Sequence, residues 1–464
     1  MCLFWEIERM RWDREQTYEL LKRIIDLSEA DQTEACFMAY ESGLTRFAEN
    51  RIHQNMCEED AIVVIRVAIG KRLGSVSANQ FDEASLVSAI QKVIEIASLN
   101  QPNELFDGFA EKQPVDSIRL PWYIPETASA GTNERADIAS RLIQKVENSA
   151  YEAAGSVSNG VYVSSVLTSL GQFVYQQETR CGGLTVVNRP GEAGFGTGYS
   201  EYFGRDIHLI HPEELAAKAV CISAMNHDAK SLPPGDYPAV LTPASVGLLI
   251  FYLGWMALHA RAVQSGQSFL AGHFDEEVLD PKLSIWDDAL DGRNYGMSFD
   301  WEGNPARYVD LIRNGKAIDV VYDTFTAKKV GKKSTGHALS PLRDRYYSSP
   351  MAEHLIVGTG DTPLEKMIEK TEKGILINHL WYVREVNFKS ASVTGMTRDG
   401  TFMIENGKIT HALKNLRFSI SLRDVFQSIE MIGTEQELTP VSIGTVLAPA
   451  MKLKHSNIDG SSSY

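Results

Sequence analysis

No stretch of this 464-residue chain reaches the roughly 18–20 uninterrupted apolar positions that a membrane-crossing helix needs. The longest candidate, residues 246–258, is too short, and His259 and Arg261 follow it. A membrane partner is therefore not expected. The start, from Met1 to Arg9, has no basic region ahead of an apolar stretch, so no signal peptide is expected either. Cysteine is scarce: Cys2, Cys36, Cys57, Cys181 and Cys221 are scattered, odd in number and form no C-x-x-C pair. Free thiols in a reducing cytoplasm fit this usage better than a disulfide framework. Positive charge is also short, with 45 basic against 60 acidic side chains and a net charge of −15. Lys328-Lys329 and Lys332-Lys333 do not make a basic stripe, so nucleic acid is not an expected partner. Heptads, solenoid periods and low-complexity segments are missing as well.

What remains is the composition of an ordinary globular protein, 44% hydrophobic and 23% charged, long enough for two or three domains. The predicted class is α+β, in three parts. Residues 1–115 read as an N-terminal α/β unit. A helix is predicted over 17–27, with Leu20, Leu21, Ile24 and Ile25 on one side. Strands are predicted over 36–40 and 61–69, separated by polar residues 46–55. Asp82 is placed to cap a helix whose apolar side is Leu86, Ile90, Val93 and Ala97.

Residues 116–234 read as a middle α+β segment. Asn133 is expected to cap a helix bearing Ile138, Leu142, Ile143 and Val146, and Asn159-Gly160 to open a β-rich stretch. The glycine-rich run 191–198 lacks a Lys-Ser/Thr ending and reads as a turn, not a phosphate loop. A helix is predicted over 212–225, with Asp206 or His211 at its start. Residues 235–464 read as a β-rich C-terminal domain with antiparallel sheets, after an apolar helix over 246–258. Asn314-Gly315, Asp399-Gly400 and Asn406-Gly407 are its hairpin signals. The tail 461–464 is expected to fray.

Several separated segments together carry a resemblance. They are Arg46-Phe-Ala-Glu-Asn-Arg-Ile-His-Gln-Asn55 with Val67-Ala-Ile-Gly-Lys-Arg-Leu-Gly-Ser75, and Gly235-Asp-Tyr-Pro-Ala-Val-Leu-Thr-Pro243. With them go Tyr322-Asp-Thr-Phe-Thr-Ala-Lys-Lys-Val-Gly331, Lys333-Ser-Thr-Gly336 and the run from Thr394 to Lys408. In this order, from about residue 39 to about residue 451, they resemble the TldD/PmbA family. The resemblance implies one of two chain types. TldD-type chains resemble zinc peptidases with an HExxxH motif and a distant cysteine ligand; TldE (PmbA)-type chains lack those ligands and pair with the TldD type.

With Gly254 on the motif's glycine, the two histidine positions fall on Ile250 and Trp255 and the glutamate on Phe251. No cysteine follows Cys221. Zinc hydrolysis needs lone pairs for the ion and a carboxylate for its water, and these side chains supply neither. The resemblance therefore implies the TldE (PmbA) branch. This chain would carry no catalytic, cofactor or metal residues of its own, the zinc being expected in a TldD-like partner. Ile250, Phe251, Trp255 and His259 mark the place of the lost motif, either as a buried helix or as a cleft touching peptide.

Alternatives are weighed from the residues. His259, His273, Asp275, Glu276 and Glu277 could form a replacement metal site, which would make the chain an independent metallopeptidase; a solvated acidic loop is the simpler reading. His208 and His211 near Glu213 and Glu214 read as a helix start. Arg384, Arg398 and Asp399 could hold a peptide terminus, though Arg398-Asp399-Gly400 reads more simply as an exposed turn. A homodimeric peptide-binding or regulatory protein is the third alternative. The expected partners are a TldD-like subunit or a second copy of this chain, together with unfolded peptide taken up by strand addition.

Overall fold

The computed structural model describes residues 12–115, 122–190, 196–342 and 350–461. The chain start, residues 191–195 of the glycine-rich run and the last three residues, about which the sequence makes predictions, lie outside them. The first helix, α1 (Arg14–Leu27), is capped by Asp13, whose carboxylate accepts from the Gln16 N–H at 2.8 Å. Two long strands follow, β1 (Gln32–Ala48) and β2 (Arg51–Ile69), then β3 (Arg72–Ala78). Their two-residue turn, Glu49-Asn50, has φ of 50° and 58°, the backbone of a twisted hairpin turn. The strands thus extend into the polar residues 46–55, which separate them in the sequence reading, and turn there at Glu49-Asn50. Asp82 caps α2 (Glu83–Leu99), which buries Leu86, Ile90, Val93 and Ala97 as the spacing predicts.

After α3 (Pro125–Ser129) comes α4 (Thr132–Glu147), capped by Gly131 and not by Asn133; the Glu134 carboxylate accepts from the Gly131 N–H at 2.9 Å. Then β4 (Glu152–Thr168), β5 (Phe173–Asn188), β6 (Gly198–Gly204) and α5 (Pro212–Met225) complete the N-terminal half. Asn159-Gly160 opens nothing: it lies inside β4. The Asn159 amide is buried, accepting from Arg135 at 2.7 Å and donating to the Thr127 carbonyl at 2.7 Å.

The six strands form one antiparallel sheet in the order β3-β2-β1-β4-β5-β6. The segments expected at 1–115 and 116–234 contribute three strands each to it, because β1 pairs along its length with β4. Strand alternation then sorts the two faces. Ala153, Val157, Val163 and Leu167 of β4 turn toward the helices, in two adjoining clusters. Val166 turns the other way and packs with Cys36 against Phe299 and Trp301 of the C-terminal half.

That half begins with β7 (Gly235–Asp236), β8 (Ala239–Leu241) and α6 (Pro243–Ala257). Its further strands are β9 (Ile285–Asp287), β10 (Val309–Arg313), β11 (Lys316–Ala317), β12 (His354–Val357), β13 (Lys373–Asn387) and β14 (Ser392–Glu405). The last five are β15 (Lys408–Ala412), β16 (Leu416–Ser421), β17 (Ile429–Pro440), β18 (Thr445–Leu453) and β19 (Asn457–Ser461). They build a second sheet, largely antiparallel, with parallel pairs at β12–β18 and β8–β13. The α+β class holds. Asn314-Gly315 and Asn406-Gly407 turn hairpins as read, whereas Asp399-Gly400 lies within β14. No helix among the described residues is long and apolar enough to cross a membrane.

Candidate functional site

Helix α6 starts at Thr242 with Pro243 in its first turn, where proline's fixed φ fits and its missing N–H is not needed. Its apolar residues go all the way round, which suits a helix surrounded by protein. Ile250 is fully buried, Phe251 and Tyr252 nearly so, and Trp255 half-buried. The Tyr252 hydroxyl donates to the Val383 carbonyl. Gly254 is a packing residue: a Cβ there would lie 2.7 Å from Leu355 Cδ1. The helix packs on β13, β17 and β18, and Ile250 and Phe251 belong to the core of the C-terminal half. A zinc ion would find no ligand atom on these side chains.

His259 does not replace them. Burial lowers its pKa to about 4, so the ring is neutral at pH 7, and Nε2 lies 3.1 Å from the Trp255 carbonyl. His273 is at the surface, 2.8 Å from Glu276. Among the described residues, no three histidine, cysteine, aspartate or glutamate side chains converge as a metal site.

The arginines weighed for a peptide terminus each lie over an aromatic ring. Arg384 lies over Tyr382 and Arg398 over Trp381, at 4.6 and 4.5 Å from the ring centroids. Asp399 is not an exposed turn residue. It is 3% exposed and accepts from Thr197 Oγ1 at 2.6 Å and His379 Nδ1 at 3.0 Å. Burial alone would raise its pKa, and those two partners outweigh burial and lower it.

The chemistry gathers elsewhere, in a cleft of about 470 Å³ between the N-terminal sheet and the C-terminal half. Register builds one wall. Tyr40 sits opposite Tyr162 and Met38 opposite Ser164 across β1 and β4, all on the sheet face that turns from the helices. The Tyr40 and Tyr162 rings stack at 6.0 Å, and the Arg180 guanidinium lies 4.7 Å from the Tyr162 centroid. Arg180 is held there by the buried Glu178 carboxylate.

The facing wall comes from Tyr295, Met297, Trp301 and His354, with the loop between β17 and β18 at one end. The Tyr295 ring packs 4.6 Å from Phe203 and 4.3 Å from the Arg205 guanidinium, yet its buried hydroxyl has no hydrogen-bond partner.

His354 reaches this wall from a buried pair of histidines around Asp287. His337 Nε2 donates to Asp287 Oδ1 at 3.0 Å, and the His354 backbone N–H donates to Oδ2 at 2.8 Å. His354 Nδ1 is 3.6 Å from Oδ1, which leaves Nε2 on the side away from the carboxylate. Burial disfavours the imidazolium, but Asp287 outweighs it and raises the His354 pKa. Burial likewise opposes the Asp287 charge, and the two histidines reverse that and lower its pKa. None of these cleft residues is reached by the sequence reading. The local trace they leave is the alternation of Gln176, Glu178 and Arg180 along β5, a polar stripe that is nevertheless mostly buried.

Comparison with known proteins agrees with this architecture. The model of the PmbA/TldA metallopeptidase C-terminal domain matches residues 234–460, and that of PmbA/TldA metallopeptidase domain 1 matches residues 33–97. A metalloprotease TldD homolog of Haemophilus influenzae is 24% identical over 435 residues, covering 86% of this chain and 87% of its own. The metalloprotease PmbA of Escherichia coli O157:H7 is 23% identical over 421 residues, 88% of each chain. Among solved structures, TldE from Thermococcus kodakarensis superposes with a TM-score of 0.84 at 19% identity, covering 95% of this chain and 99% of its own, a likeness of fold.

Proposed function

Because the chain belongs to the PmbA/TldD metallopeptidase family, we propose that it is a TldE (PmbA)-like subunit without catalytic groups of its own. A TldD-like partner holds the zinc, and the two chains together enclose a space that admits unfolded peptide. The observation that supports this reading is α6. At the positions the family resemblance assigns to the metal motif, Ile250 and Phe251 are packed into the core beside half-buried Trp255. Such positions cannot accept an ion without rebuilding the helix's surroundings. A family chain with that helix contributes shape and an interface, and obligate interfaces commonly bury more than about 2,000 Å².

The test is co-expression with a TldD-like chain from the same genome, followed by purification, elemental analysis and cleavage of an unfolded peptide. The reading expects a heterodimer with zinc and activity that depend on the partner. About one zinc per chain in the isolated protein, with chelator-sensitive cleavage, overturns it.

A further inference from the structure

Arg135 is a buried cation without an anion. The residue is 2% exposed, and a guanidinium keeps its charge in any protein environment. Its Nη1 donates to Asn159 Oδ1 at 2.7 Å and to the Ala130 carbonyl at 3.4 Å. Nη2 donates to Thr132 Oγ1 at 3.3 Å and to Cys57 Sγ at 3.7 Å, and the buried Nε has no hydrogen-bond partner. Among the described residues no carboxylate pairs with this guanidinium. On the same sheet face the neighbouring acids are Glu41 and Glu59, one cross-strand pair along. A buried charge held only by neutral groups is costly. Of the four partners, only Cys57 carries a group that oxidation turns into an anion.

The fold brings the two side chains together across a third strand. Arg135 reaches from α4 over β1, where Gly43 stands opposite Cys57 of β2. A Cβ at Gly43 would lie 2.1 Å from Arg135 Nη1, so glycine leaves the passage open. Cys57 itself is exposed. Strand β3 pairs with β2 only from Val63 onward, so among the described residues no strand covers the outer edge at Cys57. The other described cysteines lack this setting. Cys36 and Cys181 are buried, and burial raises both thiols, that of Cys181 to about 12. Cys221 is exposed on α5, with no guanidinium bonded to it.

We infer that Cys57 is the site at which hydroperoxides oxidise this chain, with Arg135 holding the charge that forms. Sγ attacks the outer oxygen of the hydroperoxide, the O–O bond breaks, and the thiol proton ends on the departing oxygen. The products are a sulfenic acid and an alcohol, or water from hydrogen peroxide. Negative charge develops on the departing oxygen during this step, and the Nη2 N–H beside Sγ is placed to meet it. A second equivalent repeats the step and gives a sulfinic acid, which releases its proton to solvent. The resulting anion is the counter-ion that Arg135 lacks. The inference goes beyond the subunit reading and does not depend on it.

The test treats the full-length chain with hydrogen peroxide and reads each cysteine by peptide mass spectrometry over time. Cys57 should gain two oxygen atoms at least tenfold faster than Cys221, its exposed control. In the urea-unfolded chain the two should react alike. Equal rates in the folded chain overturn the inference. So does a Cys57 that remains the faster in urea, since its advantage then owes nothing to Arg135.

Two variants of matched shape test the pairing without oxidant. Cys57→Asp places a carboxylate where the sulfinate would lie, and Cys57→Asn is its uncharged equivalent. Glu58, Glu59 and Asp60 follow in the chain, so without Arg135 the aspartate would be the less stable of the two. With Arg135 it should melt about 2 °C or more above the asparagine variant. An aspartate variant that melts no higher than the asparagine one overturns the inference.

Discussion

Rebuilding the metal motif in α6, by Ile250→His, Phe251→Glu and Trp255→His, should unfold the protein rather than activate it. Ile250 is fully buried and Phe251 is 5% exposed. Burying a side chain of that size contributes about 1.5–3 kcal/mol. Each new polar group left without a partner in the core costs about 1–3 kcal/mol more. For the two buried positions the loss comes to about 5–12 kcal/mol, which rivals the roughly 5–15 kcal/mol that holds a typical domain together. Trp255 is half-buried and adds less.

The assay is urea unfolding followed by both far-UV circular dichroism and tryptophan fluorescence, since coincident curves are needed before a single free energy is extracted from a chain of this length. Ile250→Val serves as the mild control, at about 0.5–1.5 kcal/mol. Added zinc should not rescue the triple variant, because no cysteine lies beyond Cys221 to complete the ligand set. A triple variant with the wild-type midpoint refutes the reasoning, for then that helix face must meet water.

Two further outcomes follow from the buried histidines. His259, whose pKa falls from 6.5 to about 4 on folding, stays neutral while the unfolded chain takes up its proton. Its contribution is intact above pH 6.5 and is lost as the pH drops toward 4, by up to about 3 kcal/mol at 1.36 kcal/mol per pKa step. His259→Gln should flatten that part of the urea-midpoint profile. Asp287→Asn removes the carboxylate between His337 and His354 and should cost about 3–5 kcal/mol, as for other broken buried pairs. The depressed Asp287 contributes above the unfolded carboxylate pKa, and the raised His354 contributes below the unfolded histidine pKa. The wild-type advantage should therefore peak between about pH 4 and 6.5 and shrink on either side, as unfolding across a pH series will show.

Where local chemistry decides the structure, the sequence is readable. Asp82 and the spacing of Leu86, Ile90, Val93 and Ala97 specify α2 completely, and α5 occupies the predicted residues 212–225. Asn406-Gly407 turns a hairpin between β14 and β15, with both residues at positive φ, 51° and 74°. The misses share a cause, which is a partner distant in sequence. Asp399-Gly400 has the same signature and also adopts positive φ, at 52° and 113°, yet it forms a bulge within β14, where Thr197 and His379 hold the Asp399 carboxylate. Asn159 is committed to Arg135 in the same way, and a Cβ on Gly43 would lie 2.1 Å from that guanidinium. The cleft was the least legible feature. Tyr40, Tyr162, Arg180, Tyr295 and His354 are joined by strand register and by the meeting of two halves, and no local spacing encodes either. For α6 the resemblance implied a lost motif, while the burial of Ile250 and Phe251 distinguishes a packed helix from an open cleft.

The pairing of β1 with β4 has a consequence for how the chain is made. Glu34 lies opposite Thr168, so the central strand of the first sheet waits for more than a hundred later residues before its second neighbour exists. Pairings this distant are slow to form, because loop closure comes before any contact that rewards it. During synthesis the β1–β2 hairpin can zip early, but it leaves the ribosome with the full length of β1 as an open edge. Such edges recruit other chains. A nascent chain halted between residues 115 and 150 is thus the form most prone to aggregate. Lengthening the connection through α3 and α4 would prolong that exposure without altering a single contact in the finished fold.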